Sequence, residues 1–361
     1  MKQRIFLITA ILLLTMLSAR GQQAQVAQIR KAYAEAKAQI AENGNNGKAP
    51  LDMTITVNDG TEVDEDFVIN EEQEMTFYFN KHRVNADPDS PEASTCYFIV
   101  VKWSANGHSS YREILLDPNK GTLLFSFTKS ETHAGYVTET RFYYDAQGNV
   151  VEQKQKAGNE EVEPGSVMWM DASRDKATAA ALLNIFDLVM NPGRELTERS
   201  KPLVKTAPKA DRLKTIRSTY AAAKDKIAKD DKADVQHNVQ IVVHDQSWGP
   251  PQIHTVNYYC DQAEPDAESA GQSCYFISER IHHNNMGPDI YNEYLLAPKS
   301  HDLIFSYTNA KEEGEQFEWR YYFDENGKCI ETMTNSDTQD GGKEDKDRVR
   351  KLVMIFQKIT D

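Results

Sequence analysis

The stretch RFYYDAQGNVVE, residues 141–152, returns as RYYFDENGKCIE at residues 320–331. In each copy an aromatic run leads into Asp-x-x-Gly and aliphatic residues follow. Asp145 and Asp324 can open a turn, and Gly148 and Gly327 can supply a positive φ without steric cost. The pattern predicts a β-hairpin with a loop of three to five residues, twice in one chain. A calcium loop would need an alternating run of oxygen ligands, which neither copy has.

Working outward, the rest of the chain repeats in the same order. IRKAYAEAKAQIA at residues 29–41 matches IRSTYAAAKDKIA at residues 216–228. Ile29, Tyr33, Ala36 and Ile40 form one helical stripe, as do Ile216, Tyr220, Ala223 and Ile227. Lys37 and Lys224 match at the rim. TITVND (54–59) matches QIVVHD (240–245), and FYFN (77–80) matches YYCD (258–261). CYFIVVKW from Cys96 matches CYFISERI from Cys274. YREILL (111–116) matches YNEYLL (291–296), and LLFSFT (123–128) matches LIFSYT (303–308). Self-similarity at a nearly fixed spacing is the signature of duplication. Each copy ends in a helix: residues 175–190, deeply buried for want of charge, and residues 344–360. In the latter Val349, Leu352, Val353, Phe356 and Ile359 share a face.

The fold class predicted is α+β. It is a tandem duplication of a module with an N-terminal helix, a meandering antiparallel sheet of about six or seven strands, and a C-terminal helix. Short strands separated by turns argue against a doubly wound α/β domain. The expected organisation is a signal peptide at 1–21, a first module at 22–190, a linker at 191–211 and a second module at 212–361. The linker, NPGRELTERSKPLVKTAPKAD, carries Pro, Gly and charge.

The N-terminus reads MKQR, then the apolar IFLITAILLLTML, then SARGQQ. That is a secretory signal pattern, with Ala19 and Gly21 as the small residues near the cut. The apolar run is short for a membrane span. No Cys stands near the cut, so a lipoprotein is not expected. The leader and the Gln22–Gln23 pair after it resemble exported proteins of Gram-negative bacteria. The resemblance implies a periplasmic or extracellular address, with no stable membrane insertion after cleavage.

The net charge is -14, and loss of residues 1–21 removes Lys2, Arg4 and Arg20 but no acid. Such a chain repels nucleic acid, and no basic patch interrupts its acidity. Charged residues at 27% and hydrophobic residues at 40% describe a folded protein and not a disordered one.

Candidate chemistry is sparse. Cys96, Cys260, Cys274 and Cys329 fall at strand positions and read as small core residues. A bridge between Cys260 and Cys274 on adjacent strands is the alternative. His282 and His283 are neighbours, and adjacent strand residues point to opposite faces. His254 lies on another strand, and no zinc spacing joins them. No metal and no cofactor is expected. The loops at 85–94 and 261–273 are rich in Pro, Ser and acid and read as solvated. Trp103 and Trp319 read as core. Trp248, in DQSWGPP, reads as an exposed loop residue able to anchor a contact. With Trp169, His254, His282 and His283, it makes the set of candidate contact residues.

No nucleophile elbow, phosphate loop or dinucleotide fingerprint occurs. The expected function is therefore an exported, non-enzymatic binding or envelope-assembly protein, its partner an envelope protein or a glycan. The alternative is a hydrolase whose site assembles from distant residues in a groove of the sheet or between modules.

Overall fold

The computed structural model describes residues 2–45, 51–64, 67–83, 92–163, 171–191, 206–233, 237–245, 252–261, 273–283, 288–297, 300–312, 314–336 and 342–360. The first repeat carries α1 (Lys2–Asn45), β1 (Asp52–Asp64), β2 (Phe67–Arg83), β3 (Glu92–Ala105), β4 (His108–Leu116), β5 (Leu123–Glu131), β6 (Val137–Tyr144), β7 (Val150–Ala157), β8 (Glu160–Glu161) and α2 (Ala172–Met190). The second carries α3 (Lys209–Ala233), β9 (His237–Asp245), β10 (Gln252–Asp261), β11 (Ser273–His283), β12 (Asp289–Leu296), β13 (Leu303–Glu312), β14 (Glu315–Phe323), β15 (Cys329–Thr334) and α4 (Lys343–Thr360). The fold is α+β, with antiparallel sheet segments of eight and seven strands, each flanked by helices and resembling a duplicated module.

Two compact units form. One comprises Met1–Pro50, Phe77–Lys102 and Gly107–Leu183, the other Leu51–Thr76, Trp103–Asn106 and Asn184–Asp361. In the first unit the strands run in the order β3-β4-β5-β6-β7-β8. In the second the order is β15-β14-β13-β12-β11-β10-β9-β1. The strand β1, which comes from the first repeat, thus lies beside β9, its equivalent in the second. Their register runs from Asp52 opposite His244 to Asp59 opposite His237.

The two Asp-x-x-Gly hairpins at residues 141–152 and 320–331 are present. Gly148 has φ +79° and Gly327 φ +72°. Asp145 Oδ1 accepts from the backbone N–H of Gln147 and Asn149 at 2.9 and 2.7 Å. Asp324 Oδ1 accepts in the same way from Asn326 and Lys328, at 2.9 Å each. A carboxylate capping its own turn explains why Asp opens both loops.

Register explains how each sheet segment holds its two helices. Glu113 pairs with Phe127 and Ile114 with Ser126, so the first pair faces one side and the second pair the other. Helix α1 packs on the Glu113 side, where Val26, Ile29 and Ala36 meet Phe98, Leu115, Phe125 and Tyr143. Helix α2 reaches the Ser126 side, where Asp175 accepts from the Tyr144 hydroxyl at 2.8 Å and from Ser126. The second unit repeats this. Helix α3 packs Ile216, Ala223 and Ile227 on Phe276, Leu295, Phe305 and Tyr322. On the other side Ser306 donates to Asp345 of α4 at 2.6 Å. Helices therefore cover both faces of each segment.

Burial differs from the sequence reading at three points. Helix α4 buries Ile355 with Val349, Leu352 and Phe356, while Val353 and Ile359 are half-buried. Helix α2 buries Asp175, Ala179, Leu182, Ile185 and Phe186; Ala180, Ala181 and Asn184 face solvent. Its low charge reflects alanine on the exposed face and not burial all round. Trp103, near the end of β3, and Trp319, in the middle of β14, are half-buried; the Trp103 indole N–H donates to Glu71 at 2.5 Å.

The β1–β9 ladder carries a titratable pair. His244 Nδ1 lies 3.3 Å from Asp52 Oδ2. That hydrogen bond raises the imidazole above its ordinary pKa, against the opposing effect of burial. A raised pKa contributes stability that is full below the ordinary value of about 6.5 and fades as pH rises through the folded value. Because the ring is partly exposed, the contribution is below about 1 kcal/mol. The urea midpoint should fall modestly between pH 6 and pH 8. H244N should flatten that stretch of the profile; an unchanged slope would refute the assignment.

Candidate functional site

Helical spacing puts Arg30, Tyr33 and Lys37 on one face of α1, above the sheet. Below them, cross-strand register lines up two rows. One row is Glu113, Phe127, Arg141 and Lys154, and the next is Leu115, Phe125, Tyr143 and Glu152. The second repeat has Arg217, Tyr220 and Lys224 on α3. Its rows are Glu293, Tyr307, Arg320 and Met333, then Leu295, Phe305, Tyr322 and Glu331. Each repeat thus builds the same pocket. The first, of ≈ 310 Å³, is lined by Arg30, Tyr33, Phe125, Phe127, Arg141 and Tyr143. The second, of ≈ 340 Å³, is lined by Arg217, Tyr220, Phe305, Tyr307, Arg320 and Tyr322, with Glu293.

Beneath each pocket lies a buried carboxylate. Glu113 accepts from the Lys37 ammonium at 2.7 Å, from the Tyr111 hydroxyl at 2.6 Å, and from the Tyr33 hydroxyl. Glu293 accepts from Lys224 and Tyr291, both at 2.7 Å, and from Tyr220. Burial works to raise the Glu113 pKa, but the hydrogen bonds from Lys37, Tyr111 and Tyr33 outweigh it and hold the carboxyl below its usual range. Burial first, and the adjacent Glu second, push the phenols of Tyr33, Tyr111, Tyr220 and Tyr291 well above their ordinary value. They remain donors throughout the physiological range. The network ties helix to sheet and fixes the tyrosine that walls the pocket.

The arginines lie against rings. The Arg141 guanidinium carbon is 4.8 Å from the Phe127 centroid, and that of Arg320 is 5.1 Å from Tyr307. Arg30 is 5.3 Å from the Tyr143 ring and Arg217 5.6 Å from Tyr322. Tyr33 meets Phe125 edge-on at 5.0 Å, and Tyr220 meets Phe305 at 4.9 Å. Such contacts hold a guanidinium plane while leaving its N–H edge available. The walls can therefore take a flat apolar body and the rim can donate to an acceptor.

The sequence-derived candidates lie elsewhere. Trp248 and Trp169 fall outside the described residues, as do most of the loops at 85–94 and 261–273. His282 Nδ1 is 2.6 Å from Asp289, and His283 Nδ1 is 2.7 Å from the Pro288 carbonyl. His254 faces the other side of the second unit. Its Nε2 is 2.7 Å from Glu279, which also accepts from Arg348, from Asn292 at 3.0 Å and from Tyr294 at 3.1 Å. The first repeat has Val101 and Ile114 where Glu279 and Tyr294 stand. Among the described residues no group of three or more His, Cys, Asp or Glu could hold a metal ion. None of the four cysteines is in a disulfide; Cys96, Cys260 and Cys274 are buried, and Cys260 opposes Cys274 across β10 and β11.

The pocket residues left one signal in the sequence. Arg30 and Arg217, Glu113 and Glu293, and Arg141 and Arg320 are identical polar residues at matched places in the two repeats. No protein-family model, curated protein or solved structure matches the chain.

Proposed function

We propose that the protein is an exported, non-enzymatic binding protein whose ligand or partner enters the twin aromatic–arginine pockets. The observation that carries this reading is selective retention. On the α1 and α3 faces the two repeats keep the same arginines, tyrosines, lysine and carboxylate. On the opposite faces both keep one Ser–Asp contact, Ser126 with Asp175 and Ser306 with Asp345, but only the second has the Glu279–His254–Arg348 network. A stability role alone would be met on either face. Pockets of about this size, apolar with a few placed polar groups, suit small ligands or the tip of a larger one such as a glycan or an envelope protein.

A hydrolase would need one of the carboxylates free to exchange a proton. Glu113 and Glu293 each already accept three hydrogen bonds, most of what a carboxylate can take. Export rests on the N-terminal leader. Among the described residues no helix is long and apolar enough to cross a membrane.

The test is an NMR titration of the leader-free protein with a library of small ring compounds. Amides of α1, β5 and β6, and of α3, β13 and β14, should shift. The R30Q/R141Q/R217Q/R320Q variant, which changes rim residues and leaves the core aromatics in place, should weaken those shifts while remaining folded. Shifts confined to other surfaces would defeat the proposal.

A further inference from the structure

Resting on the twin-pocket reading, the geometry points further: the second repeat's pocket binds a small ring that carries one carboxylate, and the first repeat's pocket does so much less well. The two pockets differ in how their arginines are paired. In the first pocket both guanidinium groups are ion-paired. Arg30 pairs with Glu152 at 3.2 Å and Arg141 with Glu139 at 2.9 Å. Arg30 also donates to the Tyr143 hydroxyl at 3.3 Å. In the second pocket Arg320 pairs with Glu318 at 3.0 Å, matching Arg141. Glu331, however, stands where Glu152 stands, and it pairs with Lys209 at the start of α3. The residue matching Lys209 in the first repeat is the uncharged Gln22. One substitution therefore draws the carboxylate away from the pocket arginine.

Arg217 is left with the Tyr322 ring as its neighbour and no ion pair or hydrogen bond among the described residues. It is exposed at the rim, so the unpaired charge is accessible. Below it the Glu293–Lys224 pair is self-neutralising. The two pockets differ in pairing rather than in net charge, because Lys154, 3.1 Å from Glu152, shares that carboxylate with Arg30: among the described residues the second pocket has one guanidinium with no carboxylate partner, and the first has none. A guanidinium held flat against a ring presents its N–H fork at the edge, the geometry that matches a carboxylate in two parallel hydrogen bonds. The walls of Tyr220, Phe305, Tyr307 and Tyr322 supply faces for a ring. Aromatic carboxylates and uronic acids share this chemistry.

The experiment is an NMR titration of the leader-free protein with four probes: benzoate, benzyl alcohol, glucuronate and glucose. At least one carboxylate should shift amides of α3 and β14 with an affinity ten-fold or more above its neutral partner. Which carboxylate does so separates an aromatic from a sugar ligand. R217Q should weaken that probe at least five-fold and leave the neutral compounds unchanged. K209Q, which returns Glu331 to Arg217 as in the first repeat, should weaken it about three-fold with the arginine still in place. If neutral and charged probes bind both pockets alike and neither substitution matters, the carboxylate assignment is overturned while the twin pockets stand. If no probe perturbs either pocket, both readings fall.

Discussion

Replacing Arg348 by alanine should destabilise the second unit by about 3 kcal/mol, because it strands a buried charge. Glu279 is 2% exposed, and Arg348 reaches it from α4 with both Nε, at 2.9 Å, and Nη2. Burial alone would raise the Glu279 pKa. The hydrogen bond from His254 and the Arg348 charge reverse this and hold the carboxyl far below its usual range. The figure sits at the lower end for a broken buried pair, since His254, Asn292 and Tyr294 still donate and Arg348 is itself partly exposed. The pH dependence provides the signature. A depressed carboxyl contributes stability that is full above its unfolded pKa of about 4.3 and disappears as pH falls through the folded value. The gap between R348A and the parent should be widest near neutral pH and narrow towards pH 3. Hydrogen exchange of β11 and β12 amides across that range would report it for this unit alone. The double variant E279M/R348M should lose less than the single one, because no charge remains buried. A gap of constant size at every pH would show that only packing was lost.

Removing the carboxylate beneath the second pocket should cost a comparable amount. E293A leaves the hydroxyls of Tyr220 and Tyr291 and the Lys224 ammonium without their common acceptor. Two partly buried hydroxyls and one ammonium together imply about 3 kcal/mol, with the ammonium contributing least because water reaches it. E113A should match it in the first unit. Ultraviolet titration gives a readout that packing changes would not mimic. The four phenols are held up by burial and by these glutamates, so each substitution should let its own pair ionise at lower pH. E293Q keeps one acceptor oxygen and should fall between. If E293A left the phenol titration untouched, the hydrogen-bond network drawn here would be wrong.

The fold was legible because its signals are local. The Asp-x-x-Gly turns, the three-and-four spacing of Ile29, Tyr33, Ala36 and Ile40, and the matched helix starts each follow from a few adjacent residues. The pocket was less legible because it is non-local. Arg30, Phe125 and Arg141 meet only through strand register and a helix laid across it. Aromatic residues and arginines in strands are common, so no short motif marks them. Histidines attracted notice in the sequence as possible metal ligands, yet His254 serves a buried ion network and His282 a surface pair. The useful clue lay in polar identities between repeats, at positions where an isolated structural role would accept many residues.

The pairing of β1 with β9 has a practical bearing on dissection. A fragment keeping residues 206–361 would carry every helix and strand of the second copy and still be incomplete. Its β9 would lose the ladder from His237 to His244 and present bare amide and carbonyl groups along a strand rich in Val and Ile. Such an edge is a template for templated growth, and nothing in the fragment would cap it. The minimal folding unit is therefore not the minimal repeating unit. Protein engineers who want one pocket in isolation must graft residues 52–59 onto the fragment, and a circular permutation would bring them there with a short tether.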